Sequence, residues 1–257
     1  MPKLLNHKIQ GNGAPLILLH GLFGSLDNLG LLARGLEQEY QVISVDLRNH
    51  GRSFHCDNHS YDSMADDVIA LLDHLAIEHC IVIGHSMGGK VAMKLADRCR
   101  DRVTQLVVMD MAPVAYQTHR HDNVFSGLQA VLEYQPTTRK QAIDILAQHI
   151  EIDGVRQFLS KSMVNHQGVI QWRFNVPTLL NQYQSIVGWQ EGGPFLAPTL
   201  FIKGANSDYI APQHQAAIQR QFPHAKAHII ANTGHWLHAE KPAETLRAIN
   251  KFLDKNR

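Results

Sequence analysis

The stretch IVIGHSMGGK, Ile81–Lys90, places a serine among glycines directly after an apolar run. It contains the pattern Gly-x-Ser-x-Gly, with Ser86 between Gly84 and Gly88. A serine on a tight strand-to-helix turn has a strained backbone, and glycines two positions away on either side prevent side-chain collisions. Its hydroxyl then projects at the N-terminus of a helix, where free N–H groups favour a developing oxyanion. The pattern predicts Ser86 as a nucleophile, with a purely structural glycine-rich turn as the alternative.

The hydroxyl of Ser86 is weakly nucleophilic at neutral pH, so it needs a base within hydrogen-bond reach. We expect this base to be a histidine late in the chain, and because there are 17 histidines the context must select it. His235 follows the predicted strand KAHIIAN in the loop NTGHWLHAEKP, where Gly234 leaves the backbone free to bend. We therefore predict His235 as the general base. His238 is the alternative, and we expect it to lie inside the next helical turn.

Backbone N–H groups must also stabilise the oxyanion that forms during acyl transfer. We expect the first donor to be the amide of Met87, the residue after the predicted nucleophile. The second donor is expected from the loop LLHGLFGS, where the amide of Leu22 or of Phe23 can turn toward Ser86. A plain glycine-containing turn is the alternative interpretation of this loop.

These residues lie in a regular alternation of short apolar runs and helical periodicities. Strands are predicted at APLILLHG (14–21), YQVISVDLRNHG (40–51), HCIVIGHS (79–86), VTQLVVMD (103–110), APTLFIKG (197–204) and KAHIIAN (226–232). Helices are predicted at SLDNLGLLARGLEQE (25–39), SYDSMADDVIALLDHLA (60–76), MGGKVAMKLADRC (87–99), PQHQAAIQRQF (212–222) and KPAETLRAINKFLDK (241–255). Buried apolar runs that alternate with helices indicate a parallel sheet covered on both faces, so the sequence predicts an α/β fold.

The segment from residue 112 to residue 197 has a different character. Its periodic stretches are helical, with no Val/Ile-rich strand between them, and they are LQAVLEYQ (128–135), RKQAIDILAQHI (139–150) and VRQFLSKSM (155–163). The Gly/Pro cluster at 188–198 is typical of a return linker. We predict a core domain formed by residues 1–111 and 198–257, and a helical cap formed by residues 112–197. Such a lid would exclude water and control substrate access.

Length and charge restrict the class of partner. A chain of 257 residues can bury one large core with an insertion. Lys and Arg total 24 against 23 Asp and Glu, so we expect neither nucleic acid nor an acidic membrane surface as a partner. The first residues lack the apolar core of a signal peptide, and no apolar run is long enough to span a bilayer. The sequence therefore predicts a cytoplasmic protein without a stable membrane anchor.

Neither a nucleotide nor a metal site is expected. The polar stretch DLRNHGRS (46–53) follows a strand, but the chain has no dinucleotide or P-loop fingerprint, so this stretch is expected to support neighbouring loops. Potential metal ligands occur in two groups, His119 with His121, and His55 with Cys56 and His59. Structural zinc needs about four converging ligands, and neither group has a second pair at the usual spacing. We predict no cofactor and no metal. The three cysteines, Cys56, Cys80 and Cys99, are expected to be reduced and structural.

Four motifs together resemble the α/β-hydrolase superfamily, and closely its YbfF-type esterases. The motifs are HGLFGS (20–25), DLRNHGRS (46–53), GHSMGGK (84–90) and GHWLHAEKP (234–242). The resemblance spans nearly the whole chain and includes the cap stretch WRFNVPTLL (172–180). It implies an eight-stranded, mostly parallel sheet with a helical lid, and the hydrolysis of carboxylic esters or thioesters.

The resemblance also implies an acid that orients the base, and two candidates stay open. In most α/β-hydrolases this acid follows the strand that here reads PTLFIKG, but the usual slot holds Ser207, and Asp208 lies one residue late. The other position is the end of the strand VTQLVVMD, where Asp110 stands. YbfF-type esterases resemble this second arrangement, so Asp110 is preferred and Asp208 is the alternative.

The expected activity is cleavage of an ester or thioester through an acyl-serine intermediate, without a cofactor. The number of aromatic residues indicates an apolar acyl chain, and the candidates for the pocket wall are Phe125, Trp172, Phe174 and Trp236. A C–C bond hydrolase or lyase would use the same serine and is the alternative. A ligand-binding receptor with residual hydrolysis is the alternative from a different class.

Overall fold

A computed structural model describes residues 3–117 and 120–256. Its strands are β1 (His7–Gln10), β2 (Ala14–Leu19), β3 (Tyr40–Val45), β4 (Cys80–His85), β5 (Val103–Met109), β6 (Met163–His166), β7 (Val169–Trp172), β8 (Thr199–Gly204) and β9 (Ala225–Ile230). Seven of them form one sheet in the order β1-β3-β2-β4-β5-β8-β9. All neighbours in this sheet are parallel except the edge strand β1, which runs antiparallel to β3.

The helices connect the parallel strands and cover the sheet. They are α1 (Gly30–Leu36), α2 (Tyr61–His74), α3 (Met87–Arg98), α4 (Asp122–Tyr134), α5 (Arg139–Ala147), α6 (Asp153–Ser160), α7 (Val176–Asn181), α8 (Tyr183–Val187), α9 (Gln215–Gln221), α10 (Leu237–Glu240) and α11 (Pro242–Lys255). Short 3₁₀ turns occur at Leu26–Leu29 and Pro212–His214. Within residues 3–117 and 120–256, no helix has the length and apolar character needed to cross a membrane.

The apolar runs of the sequence form the central strands because both faces of the sheet are covered. Successive side chains of a strand point to opposite faces. In β4, fully buried Val82 belongs to one apolar cluster with helices α2 and α3, whereas the next residue, Ile83, belongs to a second cluster with α1 and α11. This double burial explains why the central strands show continuous rather than alternating hydrophobicity.

The parallel arrangement brings the ends of several strands to one edge of the sheet. The loop at Gly21 follows β2, Ser86 follows β4, and Asp110 follows β5. The loop that contains His235 follows β9. In an open α/β sheet, the carboxyl ends of the strands are the usual location of a ligand site.

The predicted mostly parallel sheet with helices on both faces is confirmed, but the strand count is smaller than expected. The described residues contain seven strands in the main sheet instead of eight. Residues Lys3–Asn6 precede β1 without strand pairing, and the amide of Asp46 donates to the carbonyl of Asn6. The sheet therefore ends at β1 on this side.

The segment 112–197 contains more than helices. Helices α4 to α8 lie here, but strands β6 and β7 form an antiparallel hairpin between α6 and α7. The turn consists of Gln167 and Gly168, both with positive φ, as a two-residue hairpin turn of type I′ requires. The side chain of Asn165 accepts a hydrogen bond from the Gly168 amide at 3.0 Å and closes this turn. The sequence interpretation of this segment as free of strands is corrected on this point.

Candidate active site

The turn after β4 holds Ser86 in a strained conformation. Its φ of 55° and ψ of −122° are unusual for a residue other than glycine. A Cβ added at Gly84 would lie 2.1 Å from the carbonyl oxygen of Gly88, and one added at Gly88 would lie 2.3 Å from the carbonyl oxygen of Leu19. These contacts leave no room for a side chain at either position. Both glycines are therefore required for the approach of α3 to the sheet.

The side chains of Ser86, His235 and Asp110 form one continuous chain of hydrogen bonds. The Oγ of Ser86 lies 2.8 Å from Nε2 of His235, and Nδ1 of His235 lies 2.7 Å from Oδ2 of Asp110. The carboxylate of Asp110 can only accept, so Nδ1 carries the proton and Nε2 is the acceptor for the serine hydroxyl. This arrangement can move the serine proton to the imidazole while the carboxylate stabilises the imidazolium.

The position of Asp110 is fixed from several sides. Its backbone has a φ of 51°, and its amide donates to the carbonyl of Ile202 at 2.7 Å. The fully buried carboxylate accepts hydrogen bonds from the amide of Gly204 at 3.0 Å and from the hydroxyl of Ser207. Ser207, which stands in the slot that the resemblance gave to the acid, thus supports Asp110, the candidate acid that follows β5.

Asp208 has a different environment. Its side chain is 74% exposed and pairs with the Arg120 guanidinium at 2.5 Å. This hydrogen bond holds the pKa of the Asp208 carboxyl below its usual range. Since Asp208 makes no described hydrogen bond to His235, the structure brings Asp110 and not Asp208 into the hydrogen-bond chain.

Two further histidines pack beside His235. The Nε2 of His85 lies 2.9 Å from the backbone carbonyl of His235 and holds the loop after β9. The ring centroids of His85 and His238 are 4.3 Å apart. Burial is the main cause that lowers the pKa of both imidazoles, and it lowers the pKa of His238 to about 3. His238, the alternative base, lies in α10 and makes no hydrogen bond to Ser86 among the described residues. The ring of Tyr209 stacks on that of His235 at 3.9 Å.

The hydrogen bonds of the loop after β2 distinguish between the amides of Leu22 and Phe23, the two candidates for the second oxyanion donor. The amide of Phe23 donates to Nε2 of His50 at 3.1 Å, so it is already engaged. Among the described residues, no protein acceptor takes the amide of Leu22. Met87 is the first residue of α3, and the first N–H groups of a helix have no acceptor within the helix. Leu22 and Met87 also line a small recess together with Ser86. The geometry therefore favours Leu22 over Phe23.

A cavity of about 690 Å³ opens over Ser86 and His235. Its wall includes apolar side chains from both the core and the segment 112–197, among them Leu29, Ile150, Val155, Phe158, Leu159 and Trp236. This volume is in the range of sites for small organic molecules, and a mostly apolar wall suits an apolar substrate group.

Of the four aromatic residues proposed for the pocket wall, Trp236 lines this cavity. The other three pack behind the loop after β2. Phe125 and Phe174 contact the ring of Phe23 at centroid distances of 5.3 and 5.2 Å, and Trp172 stacks on Phe174 at 5.2 Å. Phe125 and Phe174 therefore pack against the Phe23 ring, and Trp172 packs behind Phe174. The expectation that these three residues line the pocket is therefore corrected, because they support the loop after β2 instead.

Among the residues that the structure describes, the side chains considered for metal binding do not converge. Within residues 3–117 and 120–256, no three His, Cys, Asp or Glu side chains are arranged to hold a metal ion. His55 and His121 contact the carbonyl of Arg173 and the hydroxyl of Tyr183, respectively. His59 is buried, and His119 lies outside the described residues. The three cysteines are free thiols.

Several residues at the site have no clear signal in the sequence. Arg120 and Tyr209 both line the cavity, and the Arg120 guanidinium lies 4.6 Å from the Tyr209 ring. Lys90 is fully buried one turn after Ser86, and it donates to the carbonyls of Val187 and Gly188 at 3.0 and 2.7 Å. Lys90 is part of the motif GHSMGGK, but the sequence does not reveal its contacts, because they depend on how the segment 112–197 packs on the core.

Comparisons with known proteins find similar chains over nearly the whole length. A family model described as alpha/beta hydrolase fold matches residues 14–242. The chain is 48% identical over 245 residues to Esterase YbfF of Escherichia coli (strain K12), with 95% of each chain covered. It is 38% identical over 246 residues to sn-1-specific diacylglycerol lipase ABHD11 of Mus musculus, with 93% of this chain and 80% of the relative covered. A solved structure described as Marine microorganism esterase matches with a TM-score of 0.94 at 36% identity, covering 98% of this chain and 100% of that chain.

Proposed function

The chain belongs to the α/β-hydrolase family and is a carboxylesterase-like serine hydrolase, and on that premise we propose that Ser86, His235 and Asp110 are its catalytic triad. The observation that carries this proposal is the continuous hydrogen-bond chain from Asp110 through His235 to the strained Ser86. All three residues follow strands at one edge of the sheet, so the sheet determines where the reacting groups lie.

In the proposed mechanism, the Oγ of Ser86 attacks the carbonyl carbon of the substrate while Nε2 of His235 takes the serine proton. The oxyanion is held by the amides of Leu22 and Met87. Collapse of this intermediate breaks the bond to the leaving alcohol or thiol, which takes the proton from His235. Water then attacks the acyl-serine, His235 takes a proton from it, and the acid product leaves with Ser86 protonated again. Asp110 keeps the tautomer of His235 throughout.

The substrate is an ester, and we propose that it carries an apolar chain. The apolar wall of the cavity supports this assignment, and so does the mouse relative, which is named as a diacylglycerol lipase. Thioesters are included because the proposed steps differ only in the leaving atom. The assignment of residues 112–197 as a cap also belongs to this proposal, since these residues supply part of the cavity wall. The cytoplasmic location stays a prediction from the sequence.

Labelling with a fluorophosphonate probe, combined with turnover of a short p-nitrophenyl ester, tests the triad. Ser86→Ala should abolish both signals, and His235→Ala should lower turnover by ~10² to 10⁴ and remove most labelling. Ser126→Ala is the matched control, because this serine lies on α4 with its hydroxyl bonded to the carbonyl of Asp122. Full turnover by the Ser86→Ala protein would refute the proposed nucleophile.

A substrate panel separates the ester assignment from the C–C bond hydrolase alternative. Esters and acyl thioesters of graded chain length should be cleaved, with kcat/KM rising as the chain fills the apolar cavity. A substrate with a hydrolysable carbon–carbon bond should be cleaved far more slowly. The reverse order of rates would overturn the ester assignment while leaving the role of Ser86 intact.

A further inference from the structure

Phe23 occupies a strained backbone conformation beside the candidate oxyanion donor. Its φ of 62° lies in the left-handed region that residues other than glycine rarely adopt. Such strain persists only where the surrounding structure determines the conformation from several directions, and it is concentrated at functional sites. The Phe23 backbone is accordingly held by contacts from several sides.

Both backbone polar groups of Phe23 are bound by side chains. Its amide donates to Nε2 of His50 at 3.1 Å, and its carbonyl accepts from the hydroxyl of Ser162 at 3.1 Å. These two side chains come from different regions, since His50 follows β3 and Ser162 lies just before β6. The Phe23 ring is packed between Phe125 and Phe174.

His50 is itself fixed as an acceptor. Its Nδ1 lies 2.9 Å from the carbonyl of Arg48, which can only accept, so Nδ1 carries the proton and Nε2 has a free lone pair. The Arg48 side chain is anchored by Asp67 through two hydrogen bonds of 2.5 and 2.8 Å. Desolvation by burial lowers the pKa of His50 well below its ordinary value, so the imidazole is neutral near pH 7.

The peptide group on the other side of Leu22 is held as well. The carbonyl of Gly21 accepts from Nδ1 of His20 at 2.8 Å and from the amide of Gly24 at 3.1 Å. In a trans peptide the N–H points opposite to the carbonyl, so these bonds set the direction of the Leu22 amide. The bond from Phe23 to His50 fixes the next peptide. Leu22 thus lies between two fixed peptide groups, and its own dihedrals have little freedom.

We propose that His50 is a positioning residue for ester hydrolysis. By accepting the Phe23 amide, it keeps the loop after β2 in the strained conformation that aims the Leu22 amide at the oxyanion. This inference rests on the proposed function, because it needs the oxyanion that forms on the substrate of Ser86. It assigns a role to the stretch DLRNHGRS that goes beyond general support of loops.

Two variants that differ by one methylene test the proposal. In His50→Gln the side-chain carbonyl can reach the Phe23 amide, whereas in His50→Asn it is too short. His59→Asn is the matched control, because His59 is buried in the same cluster with its ring 5.5 Å from that of His50, and it bonds to Asn49 rather than to the loop after β2. The measurements are kcat and KM for a p-nitrophenyl ester and the inhibition constant of a trifluoromethyl ketone, which forms an oxyanion on the serine.

Removing one oxyanion donor costs ~10² to 10³ in rate, and misplacing it in His50→Asn should lower kcat by roughly 10- to 100-fold with KM nearly unchanged. Binding of the trifluoromethyl ketone should weaken by a similar factor. His50→Gln should regain most of this loss, and His59→Asn should keep kcat within about twofold even where its Tm falls.

Normal kcat in a folded His50→Asn protein would overturn the inference. Equal loss in His50→Gln, His50→Asn and His59→Asn would also overturn it, because that pattern indicates general packing. Fluorophosphonate labelling separates this failure from a failure of the proposed function. If the wild-type protein neither reacts with the probe nor cleaves esters, the proposed function and the role of His50 are both overturned. If the wild type is active and the His50 variants keep the wild-type kcat, only the role of His50 is overturned.

Discussion

The α/β core and the segment 112–197 use left-handed backbone conformations for partly different purposes. In the core, Phe23, Ser86 and Asp110 have positive φ, and each stands in a loop directly after a strand at the candidate active site. In the described part of the segment, positive φ occurs at Gln135, at the end of α4, and at Gln167 and Gly168, in the hairpin turn. The core uses this conformation at the candidate active site as well as at ordinary turns, such as Ala76 just after α2, whereas in the described part of the segment it only ends a helix and turns the chain.

The two regions therefore contribute differently to the candidate site. The core supplies the proposed triad and the two amides proposed as oxyanion donors, and groups of this kind determine the rate of the chemical step. The segment supplies part of the apolar wall of the cavity, including Val155, Phe158 and Leu159. Substitutions in the core should lower kcat for every substrate, and substitutions in the segment should change which substrate is preferred.

The largest effect expected from this comparison comes from Asp110, the proposed acid of the core. Asp110→Asn should lower kcat by ~10⁴, because an amide in place of the carboxylate no longer favours the tautomer of His235 that accepts the serine proton. Asp208→Asn is the matched control, since this exposed carboxylate pairs with Arg120 and should change kcat by only a few fold. Steady-state kinetics on one ester decide the matter. Collapse of kcat in Asp208→Asn alone would reverse the assignment of the acid.

The sequence predicts much of the core site because its parts are local. The glycines around Ser86 belong to the contiguous pattern Gly-x-Ser-x-Gly, and His235 is recognised from its loop after a predicted strand. The choice between Asp110 and Asp208 could not be made from spacing alone, since it depends on which strand end approaches His235. The choice between the amides of Leu22 and Phe23 depends on His50, which is distant along the chain.

The sequence predicts less of the segment because its structure depends on tertiary packing. The hairpin of β6 and β7 was detectable, since MVNHQGVIQW places Gln-Gly between two short runs. The aromatic residues were not separable into wall and support. Trp172 and Phe174 pack under the loop after β2, whereas Trp236 lines the cavity, and this difference arises only when the segment meets the core.

The second prediction tests whether the segment controls substrate preference. Phe158 lines the cavity and its ring lies 6.0 Å from that of Trp236. Phe158→Ala removes apolar wall, so the ratio of kcat/KM for a bulky over a short ester should rise by about tenfold. Phe195→Ala is the control, because Phe195 packs on Phe222 and does not line the cavity. An unchanged ratio in Phe158→Ala would assign substrate preference to the core.

The third prediction concerns the bond between the two regions at Lys90. This core side chain donates to carbonyls at the end of α8, and desolvation lowers its pKa to about 7. An unfolded lysine titrates near 10.4, so between about pH 7 and 10 the unfolded state binds more protons than the folded state. The free energy of unfolding should therefore rise with pH in this range relative to Lys90→Met. Thermal melts of both proteins from pH 6 to 10 measure this difference, and a constant gap would show that Lys90 titrates normally.

The smallest effect is expected where the segment reaches the loop after β2. Ser162→Ala removes the hydroxyl that donates to the Phe23 carbonyl at 3.1 Å, but the Phe23 amide stays bound to His50. Because one of the two supports remains, kcat should fall by only about two- to fivefold, which is less than for loss of a donor itself. Kinetics on short and bulky esters show whether the loss is uniform. A uniform loss means that the segment also supports the chemistry of the core, and a loss confined to bulky esters means that its influence is limited to the cavity wall.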